Sequence, residues 1–96
     1  MNKTVERKPN FKTVTYSSEE MGLITKAWRR GSLAKVPANP KLITYQQSGN
    51  FTKCVIAGTD RLLFGVAKRN PEDRNNEQVA KSIAFYRAIT SEPVLL

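Results

Sequence analysis

The stretch KLITYQQSGNFTKCVIAGTDRLLFGVAK, residues 41–68, decides the fold of this 96-residue chain. It contains three β-prone segments separated by two turn-forming clusters. The segments are 41–47, 51–58 and 61–68, and the clusters are Ser48-Gly49-Asn50 and Thr59-Asp60. Because such short connections join antiparallel neighbours, the stretch predicts a three-stranded β-meander.

Alternation along these strands divides their side chains between two faces, and neither face is cleanly polar. In the third segment, Phe64 and Val66 lie on the face opposite Leu63 and Gly65. We therefore expect both faces of the sheet to be partly covered. A glycine in the middle of a strand is typical of a bulge or of a close backbone approach, and Gly65 predicts one of these two.

A helix is predicted before the meander, over residues 18–30. Ser17 and Glu20 have the spacing of a capping box at its start, and Gly31 is expected to end it. Four apolar residues on one face of this helix are expected in the core or at its edge. They are Met21, Ile24, Ala27 and Trp28. For Trp28, stacking on a nucleic-acid base is the alternative.

A second helix is predicted from Asn75 to Ile89 by apolar residues at helical spacing, and Pro93 ends it. The sequence thus predicts an α+β fold, with a single domain over residues 13–92 in the order helix, three-stranded antiparallel β-meander, helix (α-β-β-β-α). Residues 1–12, which are polar and basic, are expected to form a flexible arm.

Composition limits the chemistry of the chain. Sixteen Lys and Arg against eight Asp and Glu give a net charge of +8, and there is no His and one Cys, Cys54. Without a histidine base or metal-ligand spacing, the sequence predicts no enzymatic activity and no cofactor. Cys54 is expected to be a buried small hydrophobe, and a lone cysteine fits a cytoplasmic protein. No apolar run approaches the ~20 residues that cross a bilayer, so no membrane association is expected.

The excess of positive charge favours a polyanionic partner. The candidate nucleic-acid-binding residues are Lys26, Arg29, Arg30, Lys35, Lys8, Lys12, Lys68 and Arg69. The first three are spaced to share an exposed helix face. The alternative for them is a solvated helix end whose charges complement the helix dipole. The alternative for Lys68 and Arg69 is a local set of ion pairs with Glu72 and Asp73.

Two aromatic residues flank the first turn of the meander. Tyr45 and Phe51 are expected to form a cross-strand pair, and a stacking platform for bases is the alternative.

The segment 65–91 resembles the C-terminal half of small phage and bacterial proteins of uncharacterised function, which share a strand ending in Gly-Val-Ala-Lys, then Asn-Pro, an acid and a helix. The matching residues are Gly65, Val66, Ala67, Lys68, Asn70, Pro71, Asp73, Ala84, Arg87 and Ala88. This likeness implies a shared fold and a phage or prophage origin. The α-β-β-β-α order also resembles that of the double-stranded RNA-binding domain. That likeness carries over no binding residue, because residues 75–78 replace the lysine-rich helix start of the family.

The sequence therefore predicts a small basic protein that contacts the phosphate backbone of nucleic acid, either DNA or RNA. The alternative is a protein-interaction module that binds an acidic host protein and inhibits it, because the same charge steers both kinds of association. A third possibility is a homodimer formed through an exposed sheet edge or face.

Overall fold

The computed structural model describes residues 14–68 and 77–96. Its elements are α1 (Ser18–Arg29), β1 (Leu42–Ser48), β2 (Phe51–Ala57), β3 (Arg61–Lys68), α2 (Glu77–Ile89) and β4 (Val94–Leu95). The strands form one antiparallel sheet in the order β1-β2-β3-β4. The predicted α-β-β-β-α order is confirmed. The sequence did not predict β4, because two residues are too few to show strand alternation.

Helix α1 begins with the predicted capping box. The Glu20 N–H donates to Ser17 Oγ at 3.1 Å, and the Ser17 N–H donates to Glu20 Oε1 at 2.8 Å. The helix ends at Arg29, one residue earlier than predicted, and Gly31 follows with a φ of 71°. Residues with a Cβ atom rarely adopt that left-handed conformation, so a glycine is well suited to end the helix at this position. The predicted arm, 1–12, and the predicted start of the second helix at Asn75 lie outside the described residues.

Helix α2 packs on one face of the sheet, and α1 packs beside it. The residues that β2 and β3 direct to this face are buried, and they are Thr52, Cys54, Ile56, Leu63, Gly65 and Ala67. On the opposite face Phe64 is 36% exposed and Val66 is 42% exposed. Within the described residues the helices therefore cover one face, and the opposite face is only partly buried. Apolar alternation showed which side chains share a face but not which face the helices cover.

Gly65 is the residue that lets α2 lie directly on β3. A methyl group at this position would overlap the carbonyl oxygen of Ala84 and the backbone nitrogen of Ala88. The pairing of β2 with β3 continues without interruption through Cys54 and Gly65, so there is no bulge. Of the two possibilities predicted for Gly65, the close backbone approach is the one that occurs.

The core lies between the sheet and the helices. Its largest fully buried side chains are Phe85, Ile56, Leu63, Ile89 and Cys54. Tyr16, just before α1, packs edge-on against Phe85 with ring centroids 6.1 Å apart, and its hydroxyl donates to the Pro37 carbonyl oxygen at 2.6 Å. The start of α1 and the loop after it are thereby attached to the same core. Cys54 is free and buried, as predicted.

Candidate nucleic-acid interface

Three of the predicted cations lie together at the C-terminal end of α1. Lys26, Arg29 and Arg30, which we call the α1 basic cluster, are all exposed. Within residues 14–68 and 77–96 the one ion pair joins Arg61 to Asp60, with Nε 2.8 Å from Oδ1. None of the three cations is therefore paired with a carboxylate of the described chain.

Lys26 differs from the two arginines because it also touches the second helix. Its ammonium lies 5.5 Å from the centroid of the Tyr86 ring on α2. Such a cation–π contact holds the two helices together at the surface. Both arginines are exposed, and no aromatic ring or carboxylate of the described residues engages Arg29 or Arg30.

Trp28 lies next to the cluster, and the prediction that it lies in the core or at its edge is wrong. Its side chain is 67% exposed, whereas Ala27 is fully buried. Successive residues turn by about 100° around a helix, so a narrow buried stripe centred on Ala27 leaves Trp28 on its flank. Met21, one heptad earlier on the same flank, is 48% exposed. An indole and two guanidinium groups therefore face solvent at one end of α1.

Lys35 lies in the loop that follows this end of α1 and is exposed. The N–H of its neighbour Ala34 donates to the Ile89 carbonyl oxygen at 2.8 Å, and the Lys35 carbonyl oxygen accepts from Arg61 Nη1 at 3.2 Å. These bonds place the loop beside the end of α2 and the start of β3.

Lys68 is remote from Lys35. It lies seven residues beyond Arg61 along β3, or ~23 Å at the usual strand rise. It also belongs to the sheet face opposite the helices, where its ammonium is 5.8 Å from the centroid of the Phe51 ring. Of the predicted site residues that the structure describes, Lys68 therefore lies apart from Lys35 and the α1 basic cluster. Lys8, Lys12 and Arg69 lie outside the described residues, as do the acids Glu72 and Asp73 proposed to pair with Lys68 and Arg69.

The sheet face opposite the helices, which we call the open face, brings together residues that the sequence did not single out. The strand register assigns to it Leu42, Thr44, Gln46, Ser48, Phe51, Lys53, Val55, Ala57, Leu62, Phe64, Val66 and Lys68. None of these residues is acidic. Strand alternation alone does not distinguish Lys53 and Phe64 from their neighbours, whereas the short β2–β3 turn fixes a register that places them close together.

The predicted pair of Tyr45 and Phe51 does not form. Tyr45 lies opposite Cys54 on the helix-covered face, and Phe51 lies opposite Ser48 on the open face. The prediction was wrong because the hairpin register places the two side chains on opposite faces of the sheet. Phe51 is 47% exposed, so part of it is accessible to solvent.

The acids of α1 lie at its opposite end and are held by hydrogen bonds. The Tyr45 hydroxyl donates to Glu20 Oε2 at 2.6 Å, and Gln78 Nε2 donates to Glu19 Oε1 at 3.0 Å. Burial and the bond to the Glu20 carboxylate raise the pKa of the Tyr45 hydroxyl. The helix therefore carries negative charge at its start and positive charge at its end, as its dipole favours.

No group of three or more His, Cys, Asp or Glu in the described part of the chain is arranged to hold a metal ion. No helix of residues 14–68 and 77–96 is long and apolar enough to span a bilayer. Comparisons with protein-family models, curated proteins and solved structures give no match. The resemblances to phage proteins and to the double-stranded RNA-binding domain therefore stay predictions.

Proposed function

We propose that this protein binds nucleic acid mainly through its phosphate backbone, and that the α1 basic cluster and Trp28 form the primary contact. The observation that carries the proposal is an indole that is 67% exposed beside Arg29 and Arg30. Guanidinium groups bind phosphate oxygens in a bidentate manner, and an exposed aromatic ring stacks on a base or packs against a sugar.

The charge of the whole molecule supports this assignment. The described residues include ten Lys and Arg but five Asp and Glu. Because nearly all of these cations lack a carboxylate partner there, the field around the molecule is positive and attracts polyanions before contact forms. Neutralised phosphates release their counterions, so binding that depends on these cations weakens as salt rises.

An acidic protein is the alternative partner, because an exposed tryptophan next to arginine is also typical of protein interfaces. The two partners differ in how they respond to a competing nucleic acid. A nuclease-treated pull-down from lysate that still retains an acidic protein on the α1 surface would favour the alternative.

Trp28 is the single tryptophan of the chain, so its fluorescence reports directly on this surface. We expect both duplex and single-stranded oligonucleotides to quench it in low salt. Arg29→Gln should weaken binding and make the log–log salt slope less steep by ~1, because one phosphate contact is lost.

Lys41→Gln is the matched control, since Lys41 is an exposed cation outside the cluster and the change removes the same charge. An equal loss in the two variants would mean that net charge, and not the α1 basic cluster, determines affinity. No quenching at low salt by either oligonucleotide would contradict the proposal.

A further inference from the structure

The open face of the sheet combines two features that point to a ligand of its own. It carries two exposed phenylalanines, Phe51 and Phe64, which are 47% and 36% exposed. It also carries two exposed lysines, Lys53 and Lys68, and no acid. An apolar surface alone would fit many partners, but aromatic rings interleaved with cations that pair with no carboxylate of residues 14–68 and 77–96 fit a ligand with flat faces and negative charge.

We propose that the open face binds single-stranded nucleic acid, with Phe51 and Phe64 stacking on unpaired bases and Lys53 and Lys68 contacting the phosphates between them. The inference rests on the proposed function for the class of ligand. It concerns a different surface, on the side of the sheet that faces away from both helices.

The spacing of the two rings fits separate bases. Phe64 lies opposite Val55 on β2, four residues along the strand from Phe51. At the usual strand rise and strand separation, the Cα atoms of the two phenylalanines are ~14 Å apart. This distance is too long for one base to contact both rings, so each ring takes its own base, and Lys53 lies between them on β2.

Each ring is already paired with a cation in the absence of ligand. The ammonium of Lys53 is 5.2 Å from the Phe64 centroid, and that of Lys68 is 5.8 Å from the Phe51 centroid. An exposed cation–π contact is weaker than base–aromatic stacking, so a bound strand can displace each ammonium from its ring onto a phosphate. The lysines are thereby held at the positions where the backbone of a stacked strand passes.

The surface selects a single strand over a duplex. In a duplex the base faces are covered by their neighbours, so rings on a sheet surface cannot reach them. A second copy of the chain is a poorer occupant, because a face-to-face dimer would bury the lysines of both copies without a carboxylate to pair them.

The test measures the anisotropy of a labelled twelve-nucleotide oligothymidylate and of a duplex of equal length. Phe51→Leu/Phe64→Leu keeps the face apolar but removes both rings, and we expect at least ~10-fold weaker binding of the single strand. Duplex affinity should stay within about twofold of that of the unmodified protein. Ile83→Leu, a conservative change at an exposed apolar residue of α2 and away from the open face, should leave both affinities unchanged.

A second variant reports contact with this surface directly. In Trp28→Phe/Phe64→Trp the only tryptophan lies on the open face, and we expect the oligothymidylate to quench it while the duplex does not. If this variant keeps its affinity for the oligothymidylate while Phe51→Leu/Phe64→Leu loses it, the open face requires an aromatic ring and not phenylalanine itself. Circular dichroism shows whether each variant keeps the fold.

Unchanged single-strand affinity in Phe51→Leu/Phe64→Leu would overturn the inference, as would an equal loss for single strand and duplex. Sedimentation tests the other occupant of the open face. If the unmodified protein is a dimer and Phe51→Leu/Phe64→Leu is a monomer, the open face binds a second copy of the chain and the inference is overturned. Arg29→Gln/Arg30→Gln separates the inference from the proposed function. If the arginine variant loses no affinity and Phe51→Leu/Phe64→Leu loses single-strand binding, the proposed role of the α1 surface is wrong and the proposed role of the open face is supported.

Discussion

Lys53 extends across the β2–β3 pair, and its ammonium lies 5.2 Å from the centroid of the Phe64 ring. On the helix-covered face of the same sheet, Lys81 lies 5.8 Å from the Tyr45 ring, but there the Tyr45 hydroxyl also binds Glu20. The two faces therefore treat cations differently. On the helix-covered face the ring that meets the cation also binds an acid, whereas on the open face no acid of the described residues accompanies the ring and its cation.

Trp28→Ala separates the binding role of this residue from a structural one. Because the side chain is 67% exposed, its loss should change the free energy of unfolding by less than ~0.5 kcal/mol. Phe85→Ala, at a fully buried position, should cost about 3–5 kcal/mol. Urea unfolding followed by circular dichroism measures both. A large loss of unfolding free energy in Trp28→Ala would show that this side chain packs in the core. Unchanged nucleic-acid affinity would show that it does not contact the ligand.

Gly65→Ala tests the close approach of α2 to β3. The added methyl group meets backbone atoms of Ala84 and Ala88, which cannot move without shifting the helix, so we expect a loss of about 2–3 kcal/mol. Gly22→Ala is the matched control, because nothing lies within 4 Å of the added atom on the exposed side of α1. That change should stabilise the protein by ~1 kcal/mol through helix propensity. Equal effects in urea unfolding would contradict the packing of α2 on Gly65.

Tyr45→Phe removes the hydroxyl that joins β1 to the start of α1. The bond to Glu20 Oε2 is short, at 2.6 Å, and has a charged acceptor, so its loss should cost about 1.5–3 kcal/mol. Tyr86→Phe serves as the control, since the Tyr86 hydroxyl donates to no protein group in the described part of the chain. If both variants unfold at the same urea concentration, the Tyr45–Glu20 bond contributes nothing to stability.

The protein should lose stability as the solution becomes alkaline. Burial raises the pKa of the Cys54 thiol from 9.0 to about 12, and it raises the pKa of the Tyr16 hydroxyl from 10.0 to about 12. Both groups ionise more easily in the unfolded chain, so their contribution is complete below pH 9 and declines between pH 9 and about 12.

Cys54→Ala isolates the thiol part of this effect. Its free energy of unfolding should fall less steeply between pH 9 and 10 than that of the unmodified protein, because only the tyrosine part of the decline remains. The native thiol should also react slowly with a disulfide reagent near neutral pH, because the thiolate is the nucleophile and the side chain is buried. Rapid modification without unfolding would contradict the burial of Cys54.

The elements of the fold follow from local signals in the sequence, whereas the exposure of key residues does not. Turn clusters and the capping box of Ser17 and Glu20 act over a few residues, so they predicted the strands and the start of α1. Exposure depends on how wide a stripe of the helix meets the core. Periodicity therefore placed Trp28 with Ala27, although the structure buries the alanine alone.

The open face was missed for a related reason. Both faces of β3 carry apolar residues, so hydrophobicity did not show which face receives the helices. Side-chain size would have shown it, because a helix packs closely only where residues are small, and Gly65 and Ala67 share one face. Phe64 and Val66 then belong to the other face, and hairpin register places Lys53 and Lys68 beside them.

The most direct test of nucleic-acid binding is an anisotropy titration of the labelled oligothymidylate from about 50 to about 200 mM salt. Four to five phosphate contacts on a single strand predict that the logarithm of the association constant falls linearly with the logarithm of salt concentration, with a slope of about −3. Absence of binding at the lowest salt, or binding with a slope near zero, would contradict the account.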